Sequence, residues 1–232
     1  MKKAIIAAGA SAVLAAMPVA ASFAATNMNT ITDVLQATVP DSCSMTGTAA
    51  TGSGVTGEVT GTGDLTATYT FDITNGATKI IPGTTISVTC NDNQGWMVNA
   101  VGGSDFVDSD TNAHKDAMVP STATNTAFYS NGSSASDTVG DVAATTASFW
   151  AMKLTAGSTT SAATIDGNYD SWSSIPVAAA GTKVAHGGQT HMDSTTPQAA
   201  QFTTSYEVHV SMTQEADTYT GSVIYQLAHP NE

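Results

Sequence analysis

The chain has 232 residues, with 6 Lys+Arg against 19 Asp+Glu and a formal net charge of −13; every basic residue is a lysine. So acidic a surface repels nucleic acid phosphates and anionic lipid headgroups, which makes both poor partners, while it favours solubility and attracts divalent cations.

Met1-Lys2-Lys3 is a short basic start, Ala4–Ala21 is an apolar run, and Ser22-Phe23-Ala24 supplies the small residues of a signal-peptidase site. This pattern predicts a Sec-type signal peptide over residues 1–24, cut between Ala24 and Ala25. A retained membrane anchor is the competing reading, but Pro18 and Ser22 interrupt an alanine-rich run that is weak for a stable span. No later run approaches ~18 consecutive apolar residues, so no membrane insertion is expected after cleavage. Lys2 and Lys3 leave with the signal, so the 208 mature residues (232 − 24) carry 4 basic and 19 acidic groups, a net −15.

A flexible extension, residues 25–33, precedes a single expected domain, residues 34–232, since no Pro-rich or charged linker divides the remainder. Val34–Val39, ahead of Pro40, reads as a first strand, and Thr46–Gly63 is a Gly/Thr/Ser/Ala tract, either a long loop or a weak edge strand. Leu65, Ala67, Tyr69, Phe71 and Ile73 alternate with Thr66, Thr68, Thr70 and Asp72, the period of a strand with one buried face. Asn75-Gly76 is a turn pair, and Lys79–Ile81 starts a short strand before Pro82-Gly83. Ile86, Val88 and Cys90 alternate with Ser87 and Thr89; after the turn-tolerant Asn91–Gly95, Trp96, Val98 and Ala100 resume the pattern. That reads as a hairpin.

From Gly102 to Val142 the polarity rises, as in a surface excursion with short extended pieces. Ala147–Leu154 is a strand with Trp150, Met152 and Leu154 on one face and Phe149, Ala151 and Lys153 on the other. Ile175–Ala178 and Thr182–His186 are short extended segments. Gln201–Thr213 alternates Phe202, Thr204, Tyr206, Val208, Val210 and Met212 with Thr203, Ser205, Glu207, His209 and Ser211, which turns His209 outward. Ala216-Asp217 leads into Tyr219–Leu227, where Gly221 replaces a side chain; the two strands read as a C-terminal hairpin. No helical period runs over three turns outside the signal. Many short strands with Greek-key-length connections predict an all-β, immunoglobulin-like or pilin-like antiparallel sandwich.

Two cysteines in an exported chain, Cys43 and Cys90, are best paired as a disulfide, the alternative being two buried thiols. Closing about 47 residues stabilises by roughly 4 kcal/mol in the loop-entropy picture. Asp108-Ser109-Asp110-Thr111-Asn112, with Asp105 and Asp116 nearby, offers oxygen ligands for calcium. Ala113 and Val119 stand where an EF-hand needs Gly and Glu, leaving a solvated acidic loop or a calcium site of another kind.

His186, His191 and Asp193 suit an open zinc site chemically but lie beside the pliant Gly187-Gly188, so surface histidines are the plainer reading. Gly52–Gly57 matches G-x-G-x-x-G without the strand and helix that a dinucleotide site requires. No nucleophile elbow or paired carboxylates point to catalysis. Trp96 and Trp150 belong to strong strands and are expected in the core; Trp172, in a loop, is the aromatic placed to stack on a sugar. The abundant threonine suggests ice binding, but its irregular spacing fits ordinary β-propensity better.

Several stretches occur in a familiar order: Pro40–Met45 around Cys43, Val88–Asp92 running into Gly95-Trp96, Ser148–Leu154, and Asp217–Tyr225 with His229-Pro230. Over about Val39 to Pro230 this resembles secreted β-sandwich surface proteins of the small-genome candidate-phyla (Patescibacteria-type) bacteria. The last strand is also loosely similar to that of pilin-like and spore-coat-U-like sandwiches. The first resemblance implies an extracytoplasmic sandwich with a Cys43–Cys90 bridge and no catalytic residues to carry over. The second implies self-association by strand donation, for which Ala25–Leu35 is the candidate donor, although its apolar residues alternate poorly.

The expectation is therefore a non-enzymatic, exported cell-surface structural protein, a filament or coat subunit, without a cofactor. The alternative is an adhesin-type module that takes carbohydrate at Trp172 or calcium at the Asp105–Asp116 loop. A hydrolase stands third.

Overall fold

A computed structural model of the chain describes residues 42–50, 55–61, 64–109, 113–130, 147–157, 163–190 and 199–230, and the backbone of 192–193 and 196–197. All of them lie in one compact unit, Asp41–Glu232. The expected signal peptide, the 25–33 extension and the Val34–Val39 strand fall outside the described residues.

Among the described residues there is no helix. In chain order the strands are β1 (Cys43–Ala49), β2 (Val55–Thr60), β3 (Leu65–Ile73), β4 (Thr78–Cys90) and β5 (Trp96–Gly102). Four two-residue pieces follow: β6 (Phe106–Val107), β7 (Ala113–His114), β8 (Val119–Pro120) and β9 (Tyr129–Ser130). Then come β10 (Phe149–Ala156), β11 (Thr164–Ile165), β12 (Thr182–Gly187), β13 (Met192–Asp193), β14 (Thr196–Pro197), β15 (Ala200–His209) and β16 (Asp217–Ala228). One sheet has five strands in the order β1-β4-β15-β10-β9; the other runs β11-β12-β5-β16-β3-β2, with β8 also paired to β16. Within these two sheets only β9 on β10 is parallel.

The core is what the period-2 pattern requires of two facing sheets. In β3 the residues Leu65, Ala67, Tyr69, Phe71 and Ile73 are buried and the threonines between them are half-exposed. From the five-stranded sheet Ile81, Ile86, Val88, Trp150, Met152, Phe202 and Tyr206 meet Tyr69, Phe71, Trp96, Tyr219 and Tyr225 of the other. Each large side chain so enclosed contributes about 1.5–3 kcal/mol. Trp96 and Trp150 are fully buried, as their strands predict. Gly221 is small because its neighbours fill the space: a Cβ there would lie 2.5 Å from Met118 Sδ and 3.1 Å from Trp150 Cη2.

Both expected hairpins are instead arches between sheets. Cys90 ends β4 in the five-stranded sheet, while Trp96 opens β5 in the seven-stranded one. β3 and β4, joined at Asn75-Gly76, and β15 and β16 divide in the same way. The turn after Cys90 has the backbone of a crossing: Gln94 N donates to Asp92 Oδ1 at 2.8 Å, and Gly95 N to Asp92 O at 3.1 Å. Gly95 has φ 87° and sits so close to Gly187 that a Cβ would be 2.1 Å from its carbonyl. Glycine is required there on both counts.

The disulfide joins Cys43 to Cys90, facing residues of neighbouring strands within one sheet. The Thr46–Gly63 tract resolves into two edge strands, β1 and β2. Pro82-Gly83, expected to end a short strand, is a bulge inside β4: between Thr203 and Ser205 the partner on β4 moves from Thr85 to Pro82. A bulge tolerates proline because the ladder is already interrupted there. The extra residues turn inward, where Thr84 N donates to Thr204 Oγ1 at 2.7 Å and Thr84 Oγ1 meets Tyr69 OH at 2.5 Å.

Gly83 is pressed into this bulge: a Cβ would stand 2.1 Å from Thr204 Oγ1 and 2.8 Å from Tyr206 Cε2. Gly83→Ala should therefore cost about 2 kcal/mol through overpacking, despite the usual backbone benefit of alanine. Urea unfolding of wild type and variant measures it; equal midpoints would refute the bulge as drawn.

Candidate functional site

The acidic loop was the first candidate, and its geometry follows from a small hairpin of β6 and β7, in which Phe106 pairs with His114. Lys115 Nζ lies 3.3 Å from Asp105 Oδ1, and His114 Nε2 lies 3.0 Å from Asp108 Oδ2. The His114 ring stacks on Tyr129 with centroids 4.1 Å apart. Asp116 is buried and accepts from Ser130 N at 3.0 Å and Ser130 Oγ at 2.5 Å. Its carbonyl accepts Trp150 Nε1–H at 2.5 Å. Burial, with Asp108 and Asp116 close by, pushes the Tyr129 hydroxyl pKa up.

Asp105, Asp108 and Asp116 thus face three different partners: the first two tie the β6–β7 hairpin to itself, and Asp116 fastens the excursion to β9 and β10. Asp110 and Asn112, the other two oxygen donors proposed for calcium, fall outside the described residues. Among the described residues no group of three or more His, Cys, Asp or Glu side chains is gathered to hold a metal.

His186 and His229 are likewise engaged by carboxylates. Asp166 Oδ2 lies 2.7 Å from His186 Nδ1, while Asp166 Oδ1 lies 3.1 Å from Lys183 Nζ, across the β11–β12 margin. His191 and the Asp193 side chain fall outside the described residues. Asp92 receives Gln94 N–H and faces His229 Nδ1 at 2.9 Å, and these bonds hold its carboxyl below the usual range. Asp217 anchors the Ser121–Asn125 turn by accepting from Ser121 Oγ, Thr122 N at 2.8 Å and Asn125 Nδ2 at 3.1 Å. The Ser121 hydroxyl foremost keeps that carboxyl ionised well below the usual range.

His209 corrects its expected exposure. It does point away from the core, but only 3% of it is exposed, with Nδ1 2.9 Å from Thr78 Oγ1 and the ring on Phe149 at 5.5 Å. Phe149, Ala151 and Glu207 are buried on the same side, so that end of the outer face is covered.

The rest of this outer face is different. The ladder registers set Thr155 against Thr203, Thr203 against Thr85 and Thr85 against Thr48, one row of threonines across four strands. A second row runs Gln201, Ser87 and Thr46, with Gln201 Nε2 donating to Ser87 Oγ at 3.0 Å, and Thr89 against Ser44 begins a third. Neighbouring strands lie about 4.8 Å apart and same-face residues about 7 Å apart along a strand, so the hydroxyls form a grid. No carboxylate falls within these rows. The outer face of the other sheet carries threonines too, but the exposed Glu58 and Asp72 stand among them.

Trp172 lies at the margin of the grid. Ser173 exchanges two backbone hydrogen bonds with the inward-facing Met152, at 2.8 and 2.9 Å, and Ile175 two residues on is buried. By alternation Trp172 falls on the other side, beside Lys153 and the Ser205 that pairs with it, and it is half-buried. Trp172, expected as an exposed loop aromatic, is half-buried; the grid was not legible, because its members are scattered over residues 44–203 and only the register unites them.

No protein family, curated protein or solved structure matches the chain.

Proposed function

We propose that this protein is an exported, non-enzymatic structural component of the cell surface, a subunit of a coat or filament. The observation that carries the reading is the staple on β1. A strand at a sheet edge is the part of a sandwich most prone to fray or to pair wrongly with another chain. Here its first residue is locked to the facing residue of β4 by Cys43–Cys90. Such a bond persists in an oxidising compartment, which agrees with the signal-like N-terminus. The acidic side chains support the same reading, since Asp92, Asp116, Asp166 and Asp217 each fasten a loop or strand margin. Resemblance to secreted surface proteins of candidate-phyla bacteria points the same way.

The test uses the mature protein, residues 25–232, exported to an oxidising compartment. Its mass should be lower by two hydrogens than the reduced chain, and sedimentation should show concentration-dependent assembly that is lost when residues 25–35 are deleted. A strict monomer at every concentration would overturn the subunit reading and leave the adhesin-type alternative.

A further inference from the structure

We infer that the hydroxyl grid on the outer face of the five-stranded sheet, with Trp172 at its margin, is a binding platform for a neutral polysaccharide. This goes beyond the structural role and does not depend on whether the chain assembles. The first observation is chemical. The row Thr155–Thr203–Thr85–Thr48 and the neighbouring Gln201 and Ser87 offer donors and acceptors in alternation with methyl groups, which is what a sugar's hydroxyls and CH faces require. The strand spacing of about 4.8 Å is close to the length of one pyranose ring, so a chain laid across the strands meets one hydroxyl per sugar.

The second observation is electrostatic. The chain carries 19 acidic groups, yet none stands in these rows; at their margin Lys153 is accompanied by the buried Glu207, two residues beyond Ser205 on the same face, and by the exposed Asp170, two residues before Trp172. A neutral polymer loses nothing by docking there, whereas an acidic polysaccharide meets the repulsion of the whole protein. A second copy of this chain would bring the same net charge. The third observation is Trp172, which by alternation stands beside Lys153 and gives a sugar ring a flat surface to stack on.

Sheet twist decides between a flexible chain and a rigid lattice. Adjacent strands rotate by roughly 20–25°, so hydroxyls borne on four strands cannot stay in register with ice, but a polysaccharide follows the twist.

The experiment is affinity electrophoresis of the mature, oxidised protein in native gels containing barley β-glucan, galactomannan or hydroxyethylcellulose, with alginate as the acidic control. At least one neutral polymer should retard wild type and alginate should not. Trp172→Ala should weaken that retardation about tenfold, and Thr155→Val with Thr203→Val, which keeps shape and removes hydroxyls, should weaken it severalfold. Thr70→Val with Thr220→Val on the opposite face should change nothing, and thermal melts verify that every variant is folded. Wild-type mobility unaffected by all three neutral polymers overturns the proposal. So does retardation undiminished in both grid variants, or sedimentation in which Thr203→Glu abolishes self-association, which would make the grid a contact between copies. Failure here leaves the structural role standing, because that role is tested by assembly and not by sugar.

Discussion

Trp150→Ala is expected to cost about 5 kcal/mol, and to lower the melting temperature by roughly 10–20 °C. Trp150 is fully buried near the centre of the sandwich, 5.8 Å from the Tyr206 ring and against the space that Gly221 leaves open. Truncation removes the transfer energy of an indole and leaves a cavity that two stiff sheets cannot close. It also strips the partner from a buried carbonyl, because Trp150 Nε1–H is donated to Asp116 O.

That bond gives the prediction a second, more specific part. Asp116 is the residue whose side chain holds Ser130, and Ser130 belongs to the strand that pairs with Phe149 and Trp150. Trp150→Phe keeps most of the ring volume and loses only the N–H. It should therefore destabilise far less than alanine, yet speed amide hydrogen exchange at Ser130. A Trp150→Phe protein with native exchange there would mean that the indole hydrogen bond does not fasten the excursion.

Much of the layering was legible because burial on one face writes itself into a strand as alternation. Leu65–Ile73, Ile86–Cys90, Phe149–Leu154 and Gln201–Val208 lie on the faces their patterns predict. What alternation cannot convey is the partner. Cys90 and Trp96 both face inward, and they would do so whether the turn between them folds back within a sheet or crosses to the other. The arch wins because two facing sheets enclose both side chains, where a hairpin would leave one sheet without a cover. The same ambiguity hid the β15–β16 arch. Pro82 misled for another reason: proline normally ends a strand, and only the bulge that lets Thr84 and Tyr69 meet makes it acceptable in mid-strand.

The candidate platform was illegible for the same physical reason as the strand order. Thr48, Thr85, Thr155 and Thr203 share no sequence period; they become neighbours through three separate ladder registers. His209 shows the converse, a residue whose outward direction was read correctly and whose burial was not, since the strand pattern is blind to what packs on a sheet from outside.

Alkaline titration should unfold this protein steeply. The chain has six tyrosines, and in every one burial is the foremost influence, raising the hydroxyl pKa above its ordinary value. Tyr69, Tyr206 and Tyr225 are the strongest case. All three are enclosed in the core, Tyr206 OH and Tyr225 OH are 2.7 Å apart, and the Tyr69 and Tyr206 rings lie 4.7 Å from each other. A tyrosinate there would have neither water nor a cation beside it.

The direction of the effect follows from proton counting. Above the ordinary value near 10 the unfolded chain releases protons that the folded chain retains, so stability is full below that pH and falls as pH climbs toward the folded pKa values. Three such groups give a loss of about 4 kcal/mol per pH unit, enough to exhaust the stability of an ordinary domain within about two to three units. Tyrosinate absorbance and circular dichroism followed together should change in one cooperative step. Tyr206→Phe with Tyr225→Phe removes both partners of the buried hydroxyl pair at once, which is nearly neutral at pH 7. It should flatten the alkaline slope, because Tyr69 alone remains of the three core hydroxyls. Tyrosinate appearing with an ordinary midpoint while the sheets stay folded would show that water reaches these hydroxyls, and that the two sheets do not close over them.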